Sequence, residues 1–169
     1  GSFQLSNLAA LTASAGITLG QTGGTGVLSI GYGGDVPTTG MIINAPSITT
    51  GTGTGTISLR TSAAKGTPFF LTRDGTSAGT YVTIGGPTQV QQLAGYNVLG
   101  GTNTCTGGTA ISGGTLVVKS SSALGTGTVS LNTGTLNVDT GITVSNALTF
   151  SAAGGTLAGN GTFGSNPTI

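Results

Sequence analysis

Histidine, tryptophan and glutamate are absent from these 169 residues, cysteine and methionine occur once each, and only seven side chains carry charge, four basic and three acidic. Each absence removes a class of chemistry. Without histidine there is no Ser-His-Asp triad, no imidazole ligand for zinc and no common general base near neutral pH. Asp35, Asp74 and Asp139 lie far apart in sequence; they do not suggest the facing carboxylate pair of a glycosidase or an acidic calcium site. Each reads as a turn or corner residue. Cys105 is alone, so no intramolecular disulfide and no thiolate cage is expected, and it reads as a small buried side chain. Four cations are too few to neutralise a polyanion, which argues against a nucleic-acid partner. No run of eighteen apolar residues is present, so no direct membrane insertion of this chain is expected. The inventory points to no enzyme, no catalytic residue, no cofactor and no metal.

The chain opens without Met and without a basic stretch followed by an apolar one. It reads as a segment whose leader has been removed or as a cut-out piece of a longer protein. What it does contain is glycine, 34 in all, and almost as much threonine, together about two positions in five. Disordered chains combine low hydrophobicity with high net charge. Here the net charge is +1 and the mean hydropathy +0.31, which favours a packed domain.

A period organises that composition. The triplet Gly-Thr-Leu occurs at Gly114-Thr115-Leu116, again at Gly134-Thr135-Leu136 and again at Gly155-Thr156-Leu157, in nearly equal steps. Between the triplets lie short runs in which apolar residues sit two apart, such as Leu116 and Val118, Val129 and Leu131, or Leu148 and Phe150. That is the strand period, with one face in and one out. Roughly three such runs per repeat are too closely spaced for a sandwich. They fit a solenoid of three short strands per coil, with Gly, Asn and Ser at the corners and each coil paired in parallel with the next. The predicted fold is an all-β parallel β-helix, a single domain over residues 1–169, with six to eight coils of about 20 residues each. Residues 96–163 carry the clearest repeats, and the spacing drifts in the first half.

Residues 60–84 interrupt the rhythm and hold four of the seven charges with three aromatic residues. Asp74-Gly75 predicts a hairpin turn between PFFLTR and TYVTI, so this stretch reads as an arm or insertion. Its Phe69, Phe70, Arg73, Asp74 and Tyr81 are the candidate partner contacts, since aromatics and arginine anchor interfaces. The alternative is that Phe69 and Phe70 pack back on the solenoid.

The stretch TGGTAISGGTLVVKSSSALGTGTVSLNTGTL, residues 106–136, resembles the autotransporter-associated β-strand repeat of bacterial autotransporter passenger domains: a Thr-Gly-Gly-Thr corner, Gly-Thr-Leu with β-branched residues, Ser-Ser-Ala-Leu-Gly-Thr-Gly, then the next strand. The resemblance extends over residues 96–163, about two-fifths of the chain. It implies a right-handed β-helix, exported and displayed at a bacterial cell surface within adhesin-like proteins.

The expectation is therefore an extracellular or cell-surface structural and adhesive module. Its partners would be copies of itself, stacked end to end into a fibre, or a host or cell-surface ligand. An uncapped strand edge is a template for another chain. LSNLAALTA at the N-terminus reads as a brief cap, whereas GTFGSNPTI ends on a strand. Two other readings stay open. A carbohydrate-binding or carbohydrate-modifying β-helix would need a groove where Tyr32, Tyr81 or Tyr96 meets polar groups. An ice-binding face would use alternating threonines such as those at 50, 52, 54 and 56. The same glycine-rich run does not continue into the Gly-Lys-Ser/Thr of a phosphate loop.

Overall fold

The computed structural model describes residues 1–5, 10–31 and 41–164. Every pairing between its strands is parallel, and the described residues contain no α-helix, only a short 3-10 turn at Gln21–Gly23. The chain is a parallel β-helix. One face, the long sheet, stacks seven strands: Ser2–Leu5, Thr25–Ile30, Thr54–Arg60, Thr88–Ala94, Thr109–Ile111, Val129–Leu131 and Leu148–Phe150. Seven strands make seven coils, within the expected range. At about 4.8 Å per step the described rod rises roughly 29 Å.

After each pass along the long sheet the chain turns onto a second face. Phe69–Phe70, Tyr96–Leu99, Thr115–Val118, Thr135–Val138 and Thr156–Gly159 stack there in order, and in the first coils Ala10–Thr12 pairs with Ile42–Asn44 as a separate two-stranded sheet. Ala10–Thr12, expected within a cap, is thus a strand of the solenoid; residues 6–9 of that stretch and 165–169 at the other end lie outside the described residues. The third face holds Ile17–Leu19, Ser47–Thr50 and Thr83–Ile84, and later Thr143–Val144 with Thr162–Phe163. Between these groups backbone hydrogen bonds continue the stacking, from Thr104 N to Ile84 O at 2.9 Å and from Thr126 N to Cys105 O at 2.9 Å.

The repeated triplets stack on one another. Thr115 pairs with Thr135 and Thr135 with Thr156, while Leu116, Leu136 and Leu157 form the adjoining row. Alternation sends that leucine row inward, where Leu116 and Leu136 are fully buried. Each such side chain contributes about 1.5–3 kcal/mol on leaving water. On the long sheet Leu28, Ile57, Val90, Thr109, Val129 and Leu148 form one inward row, and all six are at most 2% exposed.

Coil length explains why the first half drifts. Val27 pairs with Thr56 and Thr56 with Gln89, so these two coils are long. In the second half Thr109 pairs with Val129 and Val129 with Leu148, and the coils are shorter by about a third. The strands stay in register apart from one shift between Gln92 and Ala94, and the extra residues sit between them. Where the long sheet turns onto the second face, Gly95 and Gly114 both have positive φ, 78° and 63°. A Cβ on Gly95 would run into the backbone of Thr61, and one on Gly114 into the backbone of Gly95. Only glycine combines that conformation with so close a stack.

Candidate functional site

The expected arm is smaller than the sequence suggests. Phe69–Phe70 and Thr83–Ile84 belong to the second and third faces, so the excursion is confined to the residues between them. Val82 N donates to Leu71 O at 3.0 Å and Arg73 N to Thr80 O at 2.8 Å, with an antiparallel bridge between Thr72 and Tyr81. Asp74-Gly75 does not form a two-residue turn. Asp74 Oδ1 instead accepts from the Thr76 backbone N–H and hydroxyl, both at 3.0 Å, and the loop opens over residues 74–79. Those bonds, the backbone one first, hold the Asp74 carboxyl below its ordinary pKa. Asp74 is the turn residue it was expected to be, within a wider turn.

The five candidate contacts divide. Phe69 is 3% exposed, packed in the core as the neighbour of Asn97; it is unavailable to a partner, because strand alternation points it inward. Phe70, next in the strand, points outward and is half-buried. Arg73 and Asp74 are exposed on the hairpin, and Arg73 Nε donates to Asn44 Oδ1 at 3.4 Å, towards the preceding coil. Tyr81 is half-buried. A Cβ on Gly100 would meet its ring, and its hydroxyl is buried without a hydrogen-bond partner among the described residues. Burial, with the Asp139 carboxylate as the lesser cause, raises the Tyr81 pKa. Phe70 therefore faces one way along the rod and the Arg73–Asp74 tip the other.

What Phe70 faces is a recess of about 260 Å³ on the outer side of the second face, lined by Lys65, Pro68, Phe70, Tyr96, Val98, Val117, Lys119, Asn137 and Asp139. Register assembles it from successive coils: Phe70 neighbours Val98, Val98 neighbours Val117, and Val117 neighbours Asn137. Val98 and Val117 point away from the interior and are nevertheless 2% and 6% exposed. They form a dry floor separate from the main core. Lys119 and Asp139 stand at one rim, their Nζ and Oδ2 3.5 Å apart. With side chains 40% and 50% exposed this pair adds little to stability. It fixes where a cation and a carboxylate sit. Thr140 N donates to Asp139 Oδ1 at 3.2 Å, so the expected corner role of Asp139 holds as well.

Lys65, Lys119 and Asn137 stand outside the five candidate contacts and acquire meaning only from the stacking of coils, Lys65 two coils before Lys119 and Asn137 one coil after it. The signal for them was the repeat register itself. Once Leu116 and Leu136 are placed inside, their neighbours Val117 and Asn137 must share an outer row. Tyr96, named for a sugar-binding groove, lines the recess; Tyr81 senses Asp139 from the adjoining corner; Tyr32 and Asp35 lie outside the described residues. The threonine run at 50–56 turns a corner between Ser47–Thr50 on the third face and Thr54–Arg60 on the long sheet, so its four threonines do not share a face. Cys105 is fully buried, its thiol directed at Leu124 O at 3.9 Å, and burial raises its pKa. Among the described residues no three His, Cys, Asp or Glu side chains gather as metal ligands. Comparison with protein-family models, with curated proteins and with solved structures finds nothing that matches this chain.

Proposed function

We propose that this chain is a structural and adhesive β-helix module of a bacterial extracellular or cell-surface protein, of the kind its autotransporter-like repeat implies, and that the second-face recess is its contact surface. One observation carries the reading. Three of the seven charged residues, Lys65, Lys119 and Asp139, share a recess with Phe70 and Tyr96, on a chain otherwise dominated by Gly and Thr. A mixed apolar and polar concavity on a plain rod is where recognition is expected. Beads coated with the chain should adhere to surfaces bearing bacterial or host cell envelopes. Replacing Lys65 by Gln and Tyr96 by Leu should abolish that adhesion, and unchanged adhesion would move the contact surface elsewhere.

A second reading, association along the rod axis, has its own observation. Phe3 heads the inward row that continues with Leu28 and Ile57, yet it is 51% exposed. Among the described residues Ser2–Leu5 pairs on one side only. Another coil laid on that edge, from a longer polypeptide or a second copy, would cover Phe3. Light-scattering mass at two concentrations, with electron microscopy, tests the second-copy form; a constant monomer mass and isolated rods would exclude it.

A further inference from the structure

We infer that the recess binds an acidic glycan, a sugar chain bearing carboxylates of the uronic acid type, with Tyr96 and Phe70 as the apolar platform and Lys65 as the carboxylate partner. The inference rests on the reading of the recess as the contact surface and supplies its ligand class. Three features select the ligand. The floor is apolar and dry, Val98 and Val117 being almost fully buried although they point outward, and half-buried rings of Phe70 and Tyr96 border it. A pyranose ring offers a C–H face to such a surface and leaves its hydroxyls at the rim. At the rim stand polar groups suited to hydroxyls: the Asp139 carboxylate, the Asn137 amide and the Lys119 ammonium. Along the rod, the outer row that begins with Tyr96 continues as Thr115, Thr135 and Thr156, one hydroxyl per coil.

Charge decides between neutral and acidic sugars. The recess contains two ammonium groups and one carboxylate. Lys119 is paired with Asp139, and Lys65 has no ion-pair partner among the described residues. Lys65 enters from the turn before Pro68 and Lys119 from the corner after Val118, opposite ends of the strands that make the floor. One positive charge is left over beside an apolar platform, and a ligand carboxylate completes it.

The same geometry disfavours other anions. An acidic peptide that bound by strand addition would need a free sheet edge. Tyr96–Leu99 is paired on both sides, with Phe69–Phe70 and with Thr115–Val118, so the floor offers no backbone ladder. A nucleic acid would require more cations along its track than the two present. The recess volume of about 260 Å³ is below the roughly 300–1,000 Å³ of pockets that enclose a drug-sized ligand. It suits one sugar ring docked from the side with the chain running on.

Oligogalacturonate titrated into the intact chain, followed by calorimetry and by amide shifts of residues 96–98 and 117–119, tests the inference against two controls of the same length, the fully methyl-esterified oligomer and an oligoglutamate. The acid form should bind, with esterification or Lys65→Gln weakening it about tenfold, as expected when a charged hydrogen bond is lost. Tyr96→Leu should weaken it comparably while the unfolding midpoint is recorded, and added salt should weaken binding to the native chain. Equal binding of acid and ester, binding indifferent to Lys65→Gln, tighter binding of oligoglutamate, or no binding of the acid form each overturns the inference. Recess-dependent bead adhesion without uronate binding would leave the contact surface in place and refute the ligand class alone. Loss of both would refute the two together.

Discussion

The Asn97 side chain donates to Gln92 Oε1 at 2.7 Å in the interior of the β-helix, and both residues are fully buried. Each occupies a position that its row otherwise fills with an apolar residue. Gln92 stands between Leu59 and Ile111, and Asn97 between Phe69 and Leu116. The pair is satisfied on every side. Gln92 Nε2 donates to Ala94 O at 2.9 Å and Gly95 O at 3.1 Å, Asn97 Nδ2 donates to Ala94 O at 2.9 Å, and Asn97 Oδ1 accepts from the Thr61 hydroxyl. The network lies where the last long coil gives way to the short ones and where the strand pairing shifts between Gln92 and Ala94. A polar cluster of this kind allows one alignment of the two coils, because any slip would leave its members unpaired in an apolar interior.

Removing both members together should therefore cost less than the two single removals summed. Asn97→Ala strands Gln92 Oε1 and the Thr61 hydroxyl, and each stranded group is expected to cost about 1–3 kcal/mol. Joint replacement of Gln92 and Asn97 by Leu restores apolar rows, and its cost should fall well below the sum of the two single Leu variants. Urea unfolding of the four proteins gives the coupling directly. Simple additivity would mean that the bonds do not act as a unit.

The neighbouring phenylalanines should respond unequally. Phe69→Ala opens a cavity in a closed interior and is expected to cost about 3–5 kcal/mol. Phe70→Ala starts from a half-buried side chain on the outer face and is expected to cost about 1 kcal/mol. Thermal or urea midpoints separate the two, and equal losses would contradict the alternation of the Phe69–Phe70 strand.

The hairpin tip should be sensitive to acid. The Asp74 carboxyl has a lowered pKa in the folded chain, from its bonds to Thr76. Its contribution is thus present above the unfolded aspartate pKa and is lost as pH falls through the lower folded value. The protection of the Thr76 amide, taken relative to its intrinsic exchange rate at each pH, should fall over that acidic window and hold above it, while the strands of the long sheet keep their protection. Asp74→Ala should remove the dependence. An unaltered profile in that variant would assign it to another group.

The repeating unit is written in the order of residues. Triplets beginning at positions 114, 134 and 155, with apolar residues two apart between them, leave one arrangement that turns every leucine of the set inward, a parallel stack in which Leu116, Leu136 and Leu157 coincide. The run at Thr109–Ile111 and those after it were legible for the same reason: local alternation and a near-constant coil length can both be read without knowing any distance in space. Whatever depends on distances between coils emerged only on folding. The long steps of the first half follow from chain inserted between strands, which leaves no periodic mark. Phe69 and Phe70 are chemically identical neighbours, and only the pairing with Asn97 and Val98 sends one inward and the other to the recess. The recess itself draws Lys65, Tyr96, Lys119 and Asp139 from four successive coils. No local pattern links residues so far apart in the chain, because what brings them together is the stacking of coils about 4.8 Å at a time.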